Sequence, residues 1–537
     1  MSLAPSLALV NGKIWTVNAG QPWAEAVAIL NDKILAVGTN DEIRSLLTAE
    51  SRIIDLQGNF ALPGFNDAHL HFADGSFALQ CVKLRDAATE EEFVRRIAAY
   101  AQNISPGTWI LRGNWNHENW PNQQLPTRAL IDPVTPYHPV FVNRIDDHIA
   151  LANSCALNLA GITRATPNPP GGEIKKDPAT GEPTGILVDK AWDLMLRVIP
   201  PYSFEQTTAA ILLGLAEAAR YGVTSFQDNS SAMDFGVYQR LLKENKLTAR
   251  VSVWRGIDLL DDFIRSGIQA NFGNDMLRIG TLKVYVDGSM GAGSALFYEA
   301  YEDDPSTCGL AILEEAPLHE VITRADAAGL QLAIHAIGDR ANTLALDALE
   351  AAYHQNSAHL RRHRIEHCQV VTPEDMKRYR SLGVIASVQP SHCIDDMAWA
   401  EKRIGHDRCR YAYRVGSFLK HGIPMAFGTD WAVESLNPML GLYAAVTREF
   451  ITGGPEGGWF PQEKITIEQA IEAYTLGAAF AEFAEQKKGS LVPGKLADIV
   501  VLSNNLLAVP PREYLATEVL WTIMNGKVIY QKESHEI

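Results

Sequence analysis

The sequence predicts an α/β protein, a (β/α)8 TIM barrel with a small β-sandwich domain formed from both chain termini. Three observations lead there. Through the middle of the chain, short apolar runs alternate with helical patterns, the rhythm of a parallel barrel. Several of those runs end in His, Lys or Asp where apolar residues give way to a polar loop, and barrels build active sites at the C-terminal ends of their strands. The two ends echo each other: ALVNGKIWTVN and WTIMNGKVIYQ both place Asn-Gly between β-branched runs, a strong hairpin signal.

Residues 1–58 supply the first part of the sandwich, read as short strands in LALVNGKIWTV, EAVAILNDKILAVG and RIIDL. Residues 487–537, with GSLVPGKLADIVVL and the closing hairpin, supply the second; the alternative is two unrelated surface hairpins. Between them, 59–486 hold eight candidate barrel strands: FALPGFNDAHLHF, WILRGNW, VTSFQDN, IGTLKVYVDG, LQLAIHA, HRIEHC, GVIASVQP and IPMAFGTD. Helices between them carry start signals. Thr89 with Glu92, Ser203 with Gln206 and Thr466 with Gln469 read as capping boxes, and Thr372-Pro373 as an N-cap and first turn. Gly222 stops the amphipathic TTAAILLGLAEAARY. From about 115 to 200 the rhythm breaks into Pro-, Asn- and Gly-rich sequence, which predicts an insertion over the barrel mouth, since long excursions are usually lids or binding loops.

At 537 residues the chain exceeds the ~250–300 at which one core stops growing. With 47 Lys+Arg against 63 Asp+Glu the net charge is -16, without long single-sign blocks, so no nucleic-acid footprint is visible. The opening apolar stretch is too short for a signal peptide, and nowhere do ~20 apolar residues run on. A cytoplasmic protein with a small-molecule substrate and no membrane or nucleic-acid partner is the expectation, with the oligomeric state open and a homodimer one possibility. Six cysteines without CxxC or clustering read as reduced thiols. Cys368 adjoins His367, but strand neighbours face opposite ways.

Six residues form the candidate metal centre: His69, His71, Lys283, His335, His367 and Asp430. Imidazole nitrogens and carboxylate oxygens suit Zn²⁺ and its first-row neighbours. Alternation puts His69 and His71 on one strand face, about 6.6 Å apart, close enough to converge on one ion. In TLKVYVDG either Lys283 or the flanking Leu282 and Val284 face the barrel axis. An inward ammonium needs a partner, and Asp287 lies roughly 13 Å further along an extended strand. Carboxylation by CO₂ would remove that cation and make a carbamate able to bridge two metals; the alternative is an unmodified lysine paired across the barrel or exposed. His335 and His367 end short strands, and Asp430 follows the last, where a carboxylate binds metal and accepts a proton from bound water. Around them, His148 in the insertion, Trp115, Asn116 and Trp120 in GNWNHENW, Asp339 and Arg340 in HAIGDRA, and Gln389 and His392 in SVQPSH are candidate substrate contacts. Structural packing or capping is the alternative for each.

In ordered blocks over nearly its whole length the chain resembles the amidohydrolase superfamily, and within it family 3, the YtcJ-like metal-dependent hydrolases. The blocks include NGKIWTVN, DLQGNFALPGFNDAHLHF, DDHIALANSCALNLAGI, LKVYVDGSMG, HAIGDRA, RIEHCQ, SVQPSH, FGTDWAVESLNPMLGLYAAVTRE and GKLADIVVL. The resemblance implies His69 and His71 after the first strand, a carboxylated Lys283 after the fourth, His335 and His367 after the fifth and sixth, and Asp430 after the eighth. It implies a divalent metal cofactor, zinc by default, as one or two ions. The implied reaction is cleavage of a C–N, amide-type bond of a linear or N-substituted amide, by attack of a metal-bound hydroxide with Asp430 as general base and acid. Cyclic amides, esters and lactones are open to the same centre. A mononuclear aminohydrolase that deaminates a heterocycle is the second reading; that branch places Glu three residues after the fifth-strand histidine, where this chain has Gly338. A non-catalytic metal-binding protein is the third, and the intact ligand set counts against it.

Overall fold

The computed structural model describes residues 4–144, 148–358 and 360–533. Two acidic positions of the DDHIALANS block, 146 and 147, lie outside the described residues. The chain divides into two compact units, one of Met1–Gly75 with Ile211–Ile537, the other Ser76–Ala210. Among the described residues no helix is long and apolar enough to cross a membrane.

The first unit holds the barrel. Its strands are β1 (Phe65–Leu70), β2 (Val223–Asn229), β3 (Arg250–Gly256), β4 (Leu277–Tyr285), β5 (Gln331–Ala336), β6 (Arg364–His367), β7 (Ile385–Val388) and β8 (Met425–Phe427). Each pairs in parallel with the next. The ring is drawn together between its ends by loop bonds: Asp430 N donates to His69 O at 2.7 Å, and Thr429 N to Asp67 Oδ1 at 3.0 Å. These strands are buried on both faces, as expected where helices cover a parallel sheet, so even β1 with its Asn, Asp and His is fully enclosed.

One expected barrel strand is misplaced. Ile110–Leu111, from WILRGNW, belongs to the five-stranded sheet of the second unit, and the barrel's third strand is RVSVWRG instead. Arginine at 250 and 255 disguises that run as a surface segment. The structure neutralises Arg250 inside the protein, where Nε and Nη2 meet Asp498 at 2.7 and 2.9 Å. Because WILRGNW and RVSVWRG exchange without changing the count, Lys283 remains on the fourth strand.

Both termini do build the sandwich. One sheet contains Leu7–Val10, Ala26–Leu30, Lys33–Gly38 and Arg52–Asp55; the other contains Lys13–Trp15, Trp23–Ala24, Phe60–Pro63, Ile499–Leu502, Val519–Met524 and Lys527–Gln531. The second Asn-Gly turns the closing hairpin, with Asn525 and Gly526 both at positive φ, 55° and 71°. The first does not. Leu7–Val10 and Lys13–Trp15 lie in different sheets, and Asn11-Gly12 is the crossing between them. Gly12 packs tightly there: a Cβ would stand 2.5 Å from Leu56 Cδ1, so the leucine would have to shift to admit one.

The second unit is a folded body, larger than the insertion read from sequence. Its sheet runs in the order Gly172–Lys176, Pro183–Asp189, Ile149–Ala152, Val140–Asn143, Ile110–Leu111, and buries Phe93, Ile97, Trp115, Trp120, Val142 and Leu151 on one side. The capping signals at Ser203–Gln206 and Thr466–Gln469 are formed in both directions, and Thr372 accepts from Asp375 N ahead of Pro373.

Candidate metal centre

The centre begins where β1 ends. His69 and His71 project the same way, ring centroids 5.8 Å apart. Opposite them, Asp430 follows β8 with φ 57°, a left-handed conformation that turns its carboxylate back over β1. Asp430 Oδ1 lies 3.3 Å from His71 Nε2 and 3.6 Å from His69 Nε2, and Oδ2 lies 3.8 Å from His392 Nε2. Oδ1 is buried and makes no hydrogen bond. Ligands at ~2.0–2.2 Å from one tetrahedral ion are roughly 3.3–3.6 Å from each other, so these separations suit donors that share a metal.

His367 reaches the same space by breaking the strand rule. Alternation along β6 directs Arg364 and Glu366 one way; His367 would follow the other face, but φ is 73° there and 47° at Cys368, and the chain turns the imidazole inward. Its ring is 5.0 Å from that of His69 and 4.4 Å from that of His335. Lys283, buried on β4, brings Nζ within 3.0 Å of His69 Nε2 and over the rings of Tyr285 and Trp254. The lysine therefore faces the axis.

Hydrogen bonds choose which nitrogen each imidazole offers. His69 Nδ1–H donates to Glu366 Oε2 at 2.8 Å, and His367 Nδ1–H to Gln389 Oε1 at 2.9 Å, so both present Nε2 to the centre. His335 Nε2–H donates to the Gly288 carbonyl at 3.1 Å, which leaves Nδ1 as its lone pair.

Burial sets the charges. Desolvation lowers His69 to about 4 and His335 to about 3, with the Lys283 charge adding to it, and drives His367 well below its usual range. Neutral imidazoles are the form that binds metal. Desolvation also lowers Lys283 to about 8, partly offset by Glu366 and Asp430. Burial opposes ionisation of Asp430, but His69, His71 and His367 outweigh it and hold the carboxyl well below its usual range. Burial likewise opposes the Glu366 anion, and Arg364 and His69 outweigh it, holding it near about 2.

Sequence reasoning missed four supports. Glu366 sits between Arg364 and His69, and Arg364, fully buried, also donates to Ala68 O at 2.8 Å and to Gln227. Asp67 ties β1 to Thr429 and is pushed up to about 7 by burial against its hydrogen bonds. Trp254 packs edge-on to His69 at 5.2 Å. Period-two spacing from Glu366 to Arg364 in RIEHC, and from His69 to Asp67 in NDAHLH, was the available signal.

The expected substrate contacts separate. Gln389 and His392 are buried beside the ligands. Arg340 is exposed at the first turn of Asp339–Gln355, and Asp339 Oδ1 accepts from Tyr298 N and Arg340 N, which ties the helix start to the Tyr298 segment. Trp115 and Trp120 are core residues of their own unit, their indole N–H groups donating to Val142 O and Ala87 O, and are corrected from pocket walls to packing. The Asn116 side chain accepts from Glu118 N. His148 is exposed and pairs with Asp189 at 2.6 Å within the second unit.

The model of the amidohydrolase family matches residues 52–530. Protein LONG AFTER FAR-RED 3 of Arabidopsis thaliana is 36% identical over 98% of this chain and 92% of its own length. N-substituted formamide deformylase of Arthrobacter pascens is 28% identical over 99% of both chains. An uncharacterized metal-dependent hydrolase from Pyrococcus furiosus superposes with a TM-score of 0.78 at 30% identity, covering 93% of this chain and 99% of that one.

Proposed function

The chain belongs to the amidohydrolase family and is a hydrolase acting on carbon–nitrogen bonds, and from that premise we propose that its substrate is a small linear or N-substituted amide, such as an N-acyl or N-formyl amine. The observation that carries the reading is the buried Asp430 carboxylate, whose Oδ1 has no hydrogen bond and faces His69 and His71. Similarity to a formamide deformylase along the full chain supports the choice of amide.

His69, His71, Lys283, His335, His367 and Asp430 are the proposed holders of one or two divalent ions, zinc by default, with Lys283 as its carbamate. When bound, the metal supplies Lewis acidity that lowers the pKa of water toward ~7 and polarises the substrate oxygen. Asp430, kept anionic by the imidazoles around it, accepts the water proton at Oδ1 and passes it to the leaving nitrogen. Glu366 and Gln389 hold His69 and His367 in the tautomers that face the centre. A cytoplasmic location, a homodimer and the absence of nucleic-acid or membrane partners belong to the same proposal.

Deamination of a heterocycle is disfavoured by position 338. A Cβ on Gly338 would stand 1.9 Å from the Leu296 carbonyl oxygen, so the glutamate that reaction calls for has no room there. Metal-loaded protein should release amine from members of a panel of N-acyl, N-formyl and cyclic amides. Asp430→Asn should keep bound metal and lose about 10²–10⁴-fold in turnover, the usual worth of a positioned proton carrier. Unchanged turnover in that variant removes the role of Asp430, and a panel with no released amine removes the substrate class.

A further inference from the structure

β4 ends on Tyr285, two residues past Lys283 and on the same inward face, and Tyr285 is the only exposed residue of that strand. Its register partner on β5 is His335, and the two rings lie 5.3 Å apart. On its other side the ring covers Lys283, whose Nζ is 5.0 Å from the ring centroid. The hydroxyl reaches past β3 to the end of β2, where Asn229 Nδ2 donates to it at 2.9 Å.

An amide N–H can only donate, so Asn229 occupies a lone pair of the phenol and leaves its O–H proton unused. Among the described residues no group accepts that proton. The nearest imidazole, His335, donates its own Nε2–H to the Gly288 carbonyl. Lys283 and His335 lie directly against the ring, so a molecule whose carbonyl carbon is attacked at this centre comes up beside the phenol. The proton that Asn229 turns outward is there for an acceptor on that molecule.

We infer that the Tyr285 O–H donates to the carbonyl oxygen of the scissile amide, and that Asn229 is the positioning residue that aims it. The inference deepens the amide-hydrolase reading above and rests on it. Negative charge gathers on that oxygen during attack, and a neutral donor already aimed at the oxygen strengthens its hold without reorganising. The phenol keeps its proton throughout, so Asp430 remains the carrier of the water proton.

Tyr285→Phe keeps the ring over Lys283 and beside His335 and removes the hydroxyl alone. At wild-type metal content, its kcat on an N-acyl or N-formyl amine of the panel should fall by about 10²-fold while KM stays near its wild-type value. That is the lower end of what loss of one such donor costs, because Tyr285 is 36% exposed. Asn229→Asp leaves the phenol in place but exchanges the amide donor for a carboxylate that accepts the O–H, so it should lose turnover to a similar degree. A readout apart from turnover is calorimetric binding of the methylphosphonamidate of the same amine, whose phosphoryl oxygens stand in for the developing oxyanion. Both variants should bind it about 10²-fold more weakly than wild type. Wild-type kcat in either variant, a loss confined to KM, unchanged analogue affinity, or metal content that falls with the hydroxyl each overturn the inference while the hydrolase reading stands. A wild-type protein that releases no amine from the panel removes both.

Discussion

Glu366→Gln changes one atom and tests how the centre is held. In the native protein Glu366 Oε2 accepts from His69 Nδ1–H while the same carboxylate takes the Arg364 guanidinium, so the proton on His69 is confined to Nδ1. A glutamine has one acceptor. Arg364 is fully buried and can only donate, so it claims the amide oxygen, and the amide N–H is left facing His69 Nδ1. The imidazole must then accept at Nδ1 and carry its proton on Nε2, the atom 3.0 Å from Lys283 Nζ and 3.6 Å from Asp430 Oδ1. Metal affinity should fall by about 10–100-fold, equivalent to about 1.4–2.8 kcal/mol. Removing one partner of a buried ion pair costs about 3–5 kcal/mol, and because Arg364 keeps its bonds to Ala68, Gln227 and Ser387 the lower end applies. Competition with a chromogenic chelator reads the first quantity, and denaturant unfolding of the metal-free protein the second. If Glu366→Gln binds metal as wild type does, tautomer control through Glu366 is refuted.

Further outcomes follow from the same geometry. In metal-free protein His69 and His335, lowered to about 4 and about 3, should stay uncharged as pH falls from about 6.5 to about 5, the range in which exposed histidines take up protons, and imidazole NMR shifts followed with pH read this directly. Shifts of the His69 and His335 rings that titrate near about 6.5 contradict the burial of neutral imidazoles. Saturating metal at about 1,000 times its Kd should raise the unfolding free energy by about 4 kcal/mol, read by the same denaturation with and without ion. Arg250→Met or Asp498→Asn should each destabilise by about 3–5 kcal/mol, since each leaves a buried charge alone between barrel and sandwich, and the double variant should lose less than the sum; additivity would show that the pair does not interact. With its amine lowered to about 8, about a tenth of Lys283 is neutral at pH 7 and open to CO₂, so protein prepared in ¹³C-bicarbonate with metal should show a carbamate resonance that Lys283→Met lacks.

The fold was legible where one signal dominates. Apolar runs marked seven of the eight barrel strands, because parallel strands covered on both faces need continuous hydrophobic sequence. The exception shows the limit. RVSVWRG hides its burial behind Arg250, whose countercharge, Asp498, comes from a segment 248 residues away, and no local pattern reports so distant a pair. WILRGNW carries the right apolar content but forms a two-residue strand in the other unit. Asn11-Gly12 illustrates the same point for turns, since the dipeptide permits a hairpin and only the partners of each strand decide whether one forms.

For the site, motif spacing pointed to residues that the structure gathers in one place and left their supports unseen. Strand alternation brought His69 and His71 together, whereas the pattern around Lys283 left two facings open and the structure turns the lysine inward. The inward turn of His367 depends on two consecutive left-handed residues, 367 and 368, neither of them glycine, and composition gives no warning of it. Trp115 and Trp120 are open to two readings in the sequence, pocket wall or packing, with packing favoured for at least one, and the core they fill decides for packing.

The most direct measurement is turnover of an N-formyl amine by metal-stripped protein as Zn²⁺ is added back, with bound metal counted in the same samples. Amine release that rises in proportion to occupancy and stops at saturation is the predicted result. Release that is already complete without metal, or that stays absent across the amide panel at full occupancy, contradicts the assignment of these imidazoles, Lys283 and Asp430 to amide hydrolysis.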